Sequence, residues 1–308
     1  MFGIVGDFCA RENVKILISF SGGPDSVYLF HQLKHEDVTL VYFNHQLRPK
    51  AELRKEIAFV RGFSTLHGVP LIVRKIPVRL YSKRKKVSVE AAGRELRYRI
   101  LGHLARLKKA DAIATGHHLD DLCETFFHRI LRGTKSGFGG RAIDKMQPLL
   151  RTSKQQILAW LDENKIVYSK DSSNLDRKYT RNFIRHDLMP VAEKINSRYR
   201  EHVAELVDYF SELQAYLDEA ARPITSEIIV EGGLPSLPLS ALDGHPEFIR
   251  NHALVLMLRE AEFFSSRWLN EVKKLLAKPG KSKISFGKGH FLVKDKKFLA
   301  VRRAGREN

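Results

Sequence analysis

The hexapeptide Ser21-Gly22-Gly23-Pro24-Asp25-Ser26 lies between the apolar run Val14-Lys15-Ile16-Leu17-Ile18-Ser19-Phe20 and the stretch Val27-Tyr28-Leu29-Phe30-His31-Gln32-Leu33. The first run predicts a strand and the second a helix, so the hexapeptide is a strand-to-helix turn. Glycine reaches positive φ at no steric cost, which lets successive backbone N–H groups converge. Proline suits the first turn of a helix, where its missing N–H has no intrahelical partner. The helix start then turns partial positive charge toward the turn. Ser21 and Ser26 add hydroxyl donors. Such a turn suits phosphate. The plainer reading is a serine–glycine connection that binds nothing. No Gly-Lys-Ser or Gly-Lys-Thr follows, so this is not a Walker loop with a lysine aimed at a terminal phosphate.

Strands and helices alternate beyond the turn. Strands are expected at 38–43, 70–73 and 112–115, and helices at 51–66, 89–107 and 119–131. This order predicts an α/β fold built on a doubly wound parallel sheet. Ligands bind such sheets outside the carboxyl ends of the strands. The turn at Ser21, the pair Asn44-His45 and the triplet Gly116-His117-His118 each follow a strand, so all three arrive at one edge. The glycine-rich stretch 133–140 reads as a loop beside that edge. A helix is expected over 153–163 with Ser153 as its N-cap. Another, over 191–221, would lead to a second domain. Glycines and prolines punctuate 223–246, which reads as linker or loops. Helices at 248–261 and 266–277 and short antiparallel strands at 284–286, 290–293 and 298–301 complete a smaller C-terminal α+β domain. The expected divisions are 1–190, a helical connector 191–222, and an accessory domain 223–308.

The chain has 308 residues and a soluble protein's composition, 43% hydrophobic and 29% charged. No apolar stretch approaches a membrane span, and the N-terminus lacks the basic leader of a signal peptide. Cys9 and Cys123 are the two cysteines, far apart, so a disulfide framework or zinc ribbon is not expected. The expected compartment is the cytoplasm. Lys and Arg number 53 against 35 Asp and Glu, a formal charge of +18. Clusters at Arg74-Lys75, Lys83-Arg84-Lys85-Lys86, Arg177-Lys178 and Arg302-Arg303 spread this charge widely. A small anion needs no such field, whereas a nucleic acid does. Any single cluster can equally be a solvated surface.

The densest polar cluster is Gly116-His117-His118-Leu119-Asp120-Asp121-Leu122-Cys123-Glu124. With a helix starting near His118, His117, Asp121 and Glu124 share one face. Two carboxylates there suit a cationic substrate or Mg²⁺, and acidic residues also simply favour a first helical turn. A metal hydrolase reading lacks further ligands. Arg94 and Arg97 are neighbours on the helix that opens after Ser88, and guanidinium forks suit phosphate.

Specificity comes from the order of several motifs. Ser-Gly-Gly-Pro-Asp-Ser is followed by Phe43-Asn44-His45-Gln46-Leu47-Arg48 and Glu90-Ala91-Ala92-Gly93-Arg94-Glu95-Leu96-Arg97-Tyr98. Then come Ala114-Thr115-Gly116-His117-His118-Leu119-Asp120-Asp121, Leu131-Arg132-Gly133-Thr134, Pro148-Leu149-Leu150, Asp171-Ser172-Ser173-Asn174 and Arg181-Asn182-Phe183-Ile184-Arg185. Together they resemble the tRNA(Ile)-lysidine synthetases, a branch of the N-type ATP pyrophosphatases or PP-loop family, over roughly residues 14–190. The resemblance implies an adenine nucleotide α-hydrolase-like catalytic domain that uses ATP and Mg²⁺. It implies adenylylation of the wobble cytidine of tRNA(Ile) with a CAU anticodon, then attack by free L-lysine. By motif position, Ser21, Gly22, Gly23, Pro24, Asp25 and Ser26 hold ATP, with Asp25 a candidate Mg²⁺ ligand. Asp121 and Glu124 hold the lysine ammonium groups with His117 beside them. Arg97 lies near the activated intermediate. Arg94, Arg132, Arg181 and Arg185 are candidate tRNA contacts. The chain departs from the pattern at Met146-Gln147, where arginine is commoner before the proline, and at Lys135-Ser136 in the glycine loop.

Two rivals remain at the level of sequence. A tRNA cytidine thiolase of the same superfamily would need reactive, paired cysteines or a cluster. An inactive nucleic-acid-binding relative would not need the intact hexapeptide. If the turn holds pyrophosphate, Gly23→Val and Asp25→Ala each abolish pyrophosphate release while the far-ultraviolet circular dichroism of the chain stays unchanged. Release near the wild-type rate in both variants would overturn the assignment.

Overall fold

The computed structural model describes residues 14–134, 145–169, 180–260, 266–287 and 289–303. The expectations placed on Cys9, on 135–140 and on the Asp171-Ser172-Ser173-Asn174 motif lie outside these residues. The chain divides into two compact units. The first holds residues through Leu131 and again up to Leu206, and the second takes over from Val207.

The first unit is a five-stranded parallel sheet in the order β3-β2-β1-β4-β5. Its strands are β1 (Lys15–Ser19), β2 (Asp37–Asn44), β3 (Leu71–Lys75), β4 (Ala112–Thr115) and β5 (Lys145–Met146). Because side chains alternate along a strand, β1 feeds two cores. Ile16 and Ile18 join Leu40 and Tyr42 of β2 on one face. Leu17 joins Val41 and Phe43 on the other. Helices α1 (Pro24–Leu33), α2 (Lys50–His67) and α6 (Lys154–Glu163) cover the first face through Phe30, Phe63 and Ile157. Helices α3 (Val78–Lys85) and α4 (Val89–Lys108) cover the second through Val78, Leu96 and Leu104. The sheet is therefore doubly wound, as the sequence predicts. Ser153 does cap α6, in a reciprocal capping box with Gln156. Helix α5 (Leu119–Leu131) follows β4.

Some expectations need correction. Helix α3 and strand β5 were not expected. Five of the residues Val78–Lys86 are basic, which hides an apolar period, and β5 is only two residues long. The single helix expected over 191–221 is two, α8 (Met189–Ile195) and α9 (Tyr199–Ala220), parted at Asn196, whose Oδ1 accepts from Arg198 N. Before α8, the short α7 (Thr180–Phe183) runs into a wide π turn, Ile184–Leu188. The stretch 223–246 is not a linker. It forms α10 (Arg222–Thr225) and the hairpin of β6 (Ile229–Glu231) and β7 (Leu234–Pro238), turned by Gly232 and Gly233 at positive φ.

The second unit is an antiparallel sheet in the order β6-β7-β10-β9-β8, with β8 (Ser282–Gly287), β9 (His290–Lys294) and β10 (Phe298–Arg303). Leu237, Leu292 and Leu299 pack with Leu254 and Met257 of α11 (Glu247–Glu260) and Leu275 of α12 (Ser266–Ala277). No helix among the described residues is long and apolar enough to cross a membrane.

One histidine in the first core makes folding sensitive to acid. His31 Nε2 is buried without a hydrogen-bond partner, and its ring packs on His67 and Trp160 at centroid distances of 5.4 and 5.6 Å. Burial, and then repulsion from His67, hold the His31 imidazole down to about 4. The unfolded chain therefore binds a proton at pH values where the fold does not. Stability due to neutral His31 is complete above about 6.5 and is lost as pH falls toward 4. Urea unfolding midpoints should drop between about pH 7 and about pH 4.5, and less steeply in His31→Phe.

Candidate active site

β1 ends at Ser19 and α1 begins at Pro24, so the intervening turn sits at the carboxyl edge of the sheet. Gly22 has φ +80°, and a Cβ there would stand 3.0 Å from Phe59 Cδ1. Conformation and space both demand glycine. Gly23 differs. It is the N-cap of α1 at φ −73°, and a Cβ on it would meet only Ser21 Oγ at 3.4 Å. Any need for glycine at Gly23 thus lies with what the turn binds. Ser26 is buried. Its Oγ accepts from Ser21 N at 3.2 Å and donates to Gly23 O at 3.0 Å, so it braces the turn instead of offering its proton outward. Ser21 is exposed, and its Oγ accepts from Gly23 N at 3.3 Å. Pro24 occupies the first turn of α1, as its chemistry requires.

The loop after β4 packs directly on this turn. A Cβ at Gly116 would lie 3.1 Å from the Asp25 carbonyl carbon. Lys154 Nζ donates to Asp25 Oδ1 at 2.5 Å. Buried His118 faces three carboxylates, with Nε2 3.8 Å from Asp25 and 3.4 Å from Asp121, and Nδ1 3.6 Å from Asp120. Burial works to raise the Asp120 carboxyl. Hydrogen bonds from Lys154 N and Arg200 Nε outweigh it and hold the group below its ordinary value.

A cavity of about 680 Å³ opens above these strand ends. Ser21, Gly23, Asp25 and Ser26 of the turn line it together with His45, Arg94, Arg97, His117, Asp121 and Arg181. Asn44 is spent locally, because its Oδ1 accepts from Gln46 N at 2.9 Å and closes the turn. Arg97 is the least satisfied cation here. Its Nε is buried with no partner among the described residues, and burial lowers the pKa of its guanidinium. A buried donor without an acceptor is costly, so the position suits an incoming anion. Arg94 is exposed and lies over the Tyr98 ring at 5.3 Å.

His117 precedes α5 instead of sharing its face, because the helix starts at Leu119. Its Nδ1 lies 2.9 Å from Thr115 Oγ1 and 3.3 Å from the Gln147 amide. An amide N–H only donates, so Nδ1 accepts and the ring proton sits on Nε2. Burial, opposed by Asp121 and reinforced by Arg94, Arg181 and Arg97, holds His117 down to about 4. His45 is likewise held to about 4, by burial and then by Arg97 and Arg48. Both rings are neutral near pH 7.

Asp121 and Glu124 part company. Asp121 lines the cavity and accepts from His118 N at 3.2 Å. Glu124 is fully buried and is not among the lining residues. Arg181 Nε donates to one Glu124 oxygen at 2.7 Å, and Arg185 Nε donates to the other. Both guanidiniums also reach Asp121 Oδ1, at 3.6 and 3.3 Å. Two arginines expected on the RNA side therefore neutralise the two carboxylates. Arg132 is exposed just past α5. Cys123 is buried and free, and burial pushes its thiol up to about 12, far from a reactive thiolate.

Sequence reasoning placed His118 at the strand-end edge without its three carboxylate neighbours, and it gave no role to Gln147, to Lys154 or to Ser169, whose N donates to Gly22 O at 2.8 Å. Only Lys154 carried a local signal, its place beside the Ser153 cap. Among the described residues no trio of His, Cys, Asp or Glu is placed to hold a metal. Mg²⁺ carried in on a phosphate needs few protein ligands, and Asp25 is the carboxylate of the turn itself that would hold it. The two glycines of the turn differ in a measurable way. Gly22→Ala should lower stability by about 1–3 kcal/mol, as expected for a left-handed non-glycine residue. Gly23→Ala should change it by less than about 0.5 kcal/mol, both read from urea unfolding.

The PP-loop domain model matches residues 4–192. The tRNA(Ile)-lysidine synthase of Thermosipho africanus is 34% identical over 70% of this chain and 53% of its own length. The chain thus spans about half the length of that relative. The enzyme of the same name from Petrotoga mobilis is 36% identical over 68% of this chain and 68% of its own. Among solved structures, the U34-tRNA thiolase NcsA from Methanococcus maripaludis with its [4Fe-4S] cluster shares the fold, with a TM-score of 0.56 at 16% identity, covering 66% of this chain and 74% of that one. By the PP-loop match and the Petrotoga relative together, this chain belongs to the tRNA(Ile)-lysidine synthase family of PP-loop proteins.

Proposed function

We propose that this chain uses ATP to join L-lysine to C2 of the wobble cytidine of tRNA(Ile) bearing a CAU anticodon. The observation that carries the reading is one cavity lined both by the anion turn and by Arg97, whose buried Nε has no hydrogen-bond partner among the described residues. ATP enters with its β and γ phosphates against Ser21–Ser26 and the start of α1. Cytidine O2 attacks the α phosphorus, the bond to the bridging oxygen breaks, and pyrophosphate leaves. Arg97 meets the charge of the adenylyl group. The lysine amine then attacks C2, AMP departs with O2, and the amine gives up a proton. Mg²⁺, held by ATP with Asp25, would supply charge for the first step.

Neutral His117 offers an Nε2 donor and adds no charge to repel an ammonium group. Asp121 is the cavity-facing carboxylate, and a lysine ammonium competes there with Arg181 and Arg185. Glu124 acts through those arginines. The second unit serves as an accessory tRNA-binding domain.

The test is single-turnover assay of the full chain with CAU-bearing tRNA(Ile), ATP and lysine. Lysine-dependent product with release of pyrophosphate and AMP is expected. In Asp121→Asn the lysine requirement should rise ~10–100-fold, from a charge-assisted hydrogen bond of ~1.5–3 kcal/mol. Adenylylated tRNA should still form in that variant. Sulfur-dependent modification, or no turnover, would overturn the proposal.

A further inference from the structure

The hairpin of α3 and α4 ends in the most concentrated positive charge of the first unit. Lys83, Arg84, Lys85 and Lys86 are consecutive and exposed, and Arg79 precedes them on α3. No acidic residue occurs from Val78 to Val89. The nearest carboxylates in sequence are engaged elsewhere. Glu90 lies 3.7 Å from Arg181 Nη1, and Glu95 accepts from the Tyr81 hydroxyl. Among the described residues none of the four tip cations has a carboxylate partner.

The tip is also built to stay in shape. Lys86 takes a left-handed φ of 54° and ends α3. Ser82 Oγ donates to Val87 O at 2.7 Å, and Val87 N donates back to Ser82 O at 3.2 Å. Ser88 then caps α4 by accepting from Ala91 N at 3.1 Å. The Tyr81 ring carries Lys85 Nζ at 6.0 Å on one contact and Arg99 at 5.5 Å on another. The dipole of α3 favours cations in its last turn. It does not account for five within nine residues, because like charges three and four apart repel. A polyanion removes that repulsion.

Helix α4 links the tip to the cavity. From Ser88 to Arg94, which lines the cavity, the axial rise is about 9 Å at 1.5 Å per residue. The tip therefore stands close to the cavity mouth, on the same rigid helix as Arg94 and Arg97. We propose that the tip of the α3–α4 hairpin binds the phosphodiester backbone of the RNA substrate beside the base that enters the cavity. The occupant is a nucleic-acid backbone, chosen by charge complementarity and by the tip's tie to the helix that lines the cavity. This rests on the reading that the chain acts on tRNA.

The experiment compares the full chain with a variant carrying Lys83→Gln, Arg84→Gln, Lys85→Gln and Lys86→Gln. A control carries Arg54→Gln, Lys55→Gln and Arg61→Gln on α2, all exposed. Binding of unmodified CAU-bearing tRNA is measured against salt, alongside pyrophosphate release at saturating tRNA. The hairpin variant should bind ~10–100-fold more weakly at about 0.1 M salt, and its log–log salt slope should fall by about 2–3. Its turnover at saturating tRNA and its ATP dependence should stay within about twofold, and the control should bind like wild type. An unchanged slope in the hairpin variant would overturn the proposal while wild-type binding stands. Loss of binding to anionic vesicles without loss for tRNA would assign the tip to a lipid surface and overturn it too. A wild-type chain that binds no tRNA would sink the tRNA reading itself, and the hairpin proposal with it.

Discussion

Parallel pairing of β1 with β2 on one side and β4 on the other is the interaction on which the candidate site depends. The register pairs Ser19 with Thr115, so β1 and β4 end level, while Ser19 pairs with Val41 and β2 runs three residues further, to Asn44, at the same edge. Their exits become the Ser21 turn, the Asn44-His45 corner and the Gly116-His117 loop. A parallel sheet buries both faces under helices, so the strand ends are where backbone and polar side chains remain free to meet a ligand. Contact at Gly116 is tight enough that the α1 start and the β4 loop have no room between them for a side chain. Any shift of β4 against β1 would disturb the anion turn.

Charge in the first unit follows a consistent logic around this edge. Carboxylates are met by cations: Asp25 by Lys154, Asp120 by Arg200, and Glu124 by Arg181 and Arg185. Histidines at the cavity are kept neutral by burial. The exception is Arg97, whose buried Nε has no hydrogen-bond partner among the described residues. A fold carries such a cost where a ligand offsets it. Glu124 ties the chain beyond Thr180 to α5, and the wide turn at Ile184–Leu188 brings Arg185 to the same carboxylate. π turns of this kind recur at functional sites.

Local chemistry made much of the chain legible. The Ser153 capping box, the alternation of Ile284 and Phe286, and the Asp295 turn, whose Oδ1 accepts from Lys297 N and Phe298 N, are each written in a few adjacent residues. Helix α3 was not legible, because it is held by Val78 and Tyr81 against α4 and not by an apolar period of its own. The β6–β7 hairpin was hidden by its prolines, which a strand tolerates at such positions without a ladder donor.

The sequence by itself determined the doubly wound sheet, the strand-to-helix anion turn and the edge at which the polar motifs converge. These depend on period and on residue type within short windows. Only the tertiary structure decided that Asp121 faces the cavity while Glu124 is sealed behind it, that Arg181 and Arg185 neutralise both, and that Gln147 sets the His117 proton. Those pairs are separated by 30 to 64 residues or by a single helical turn, and burial chose among chemically equivalent groups. Spacing puts two carboxylates on one face of a helix. Which one meets solvent is decided by the elements packed over that face.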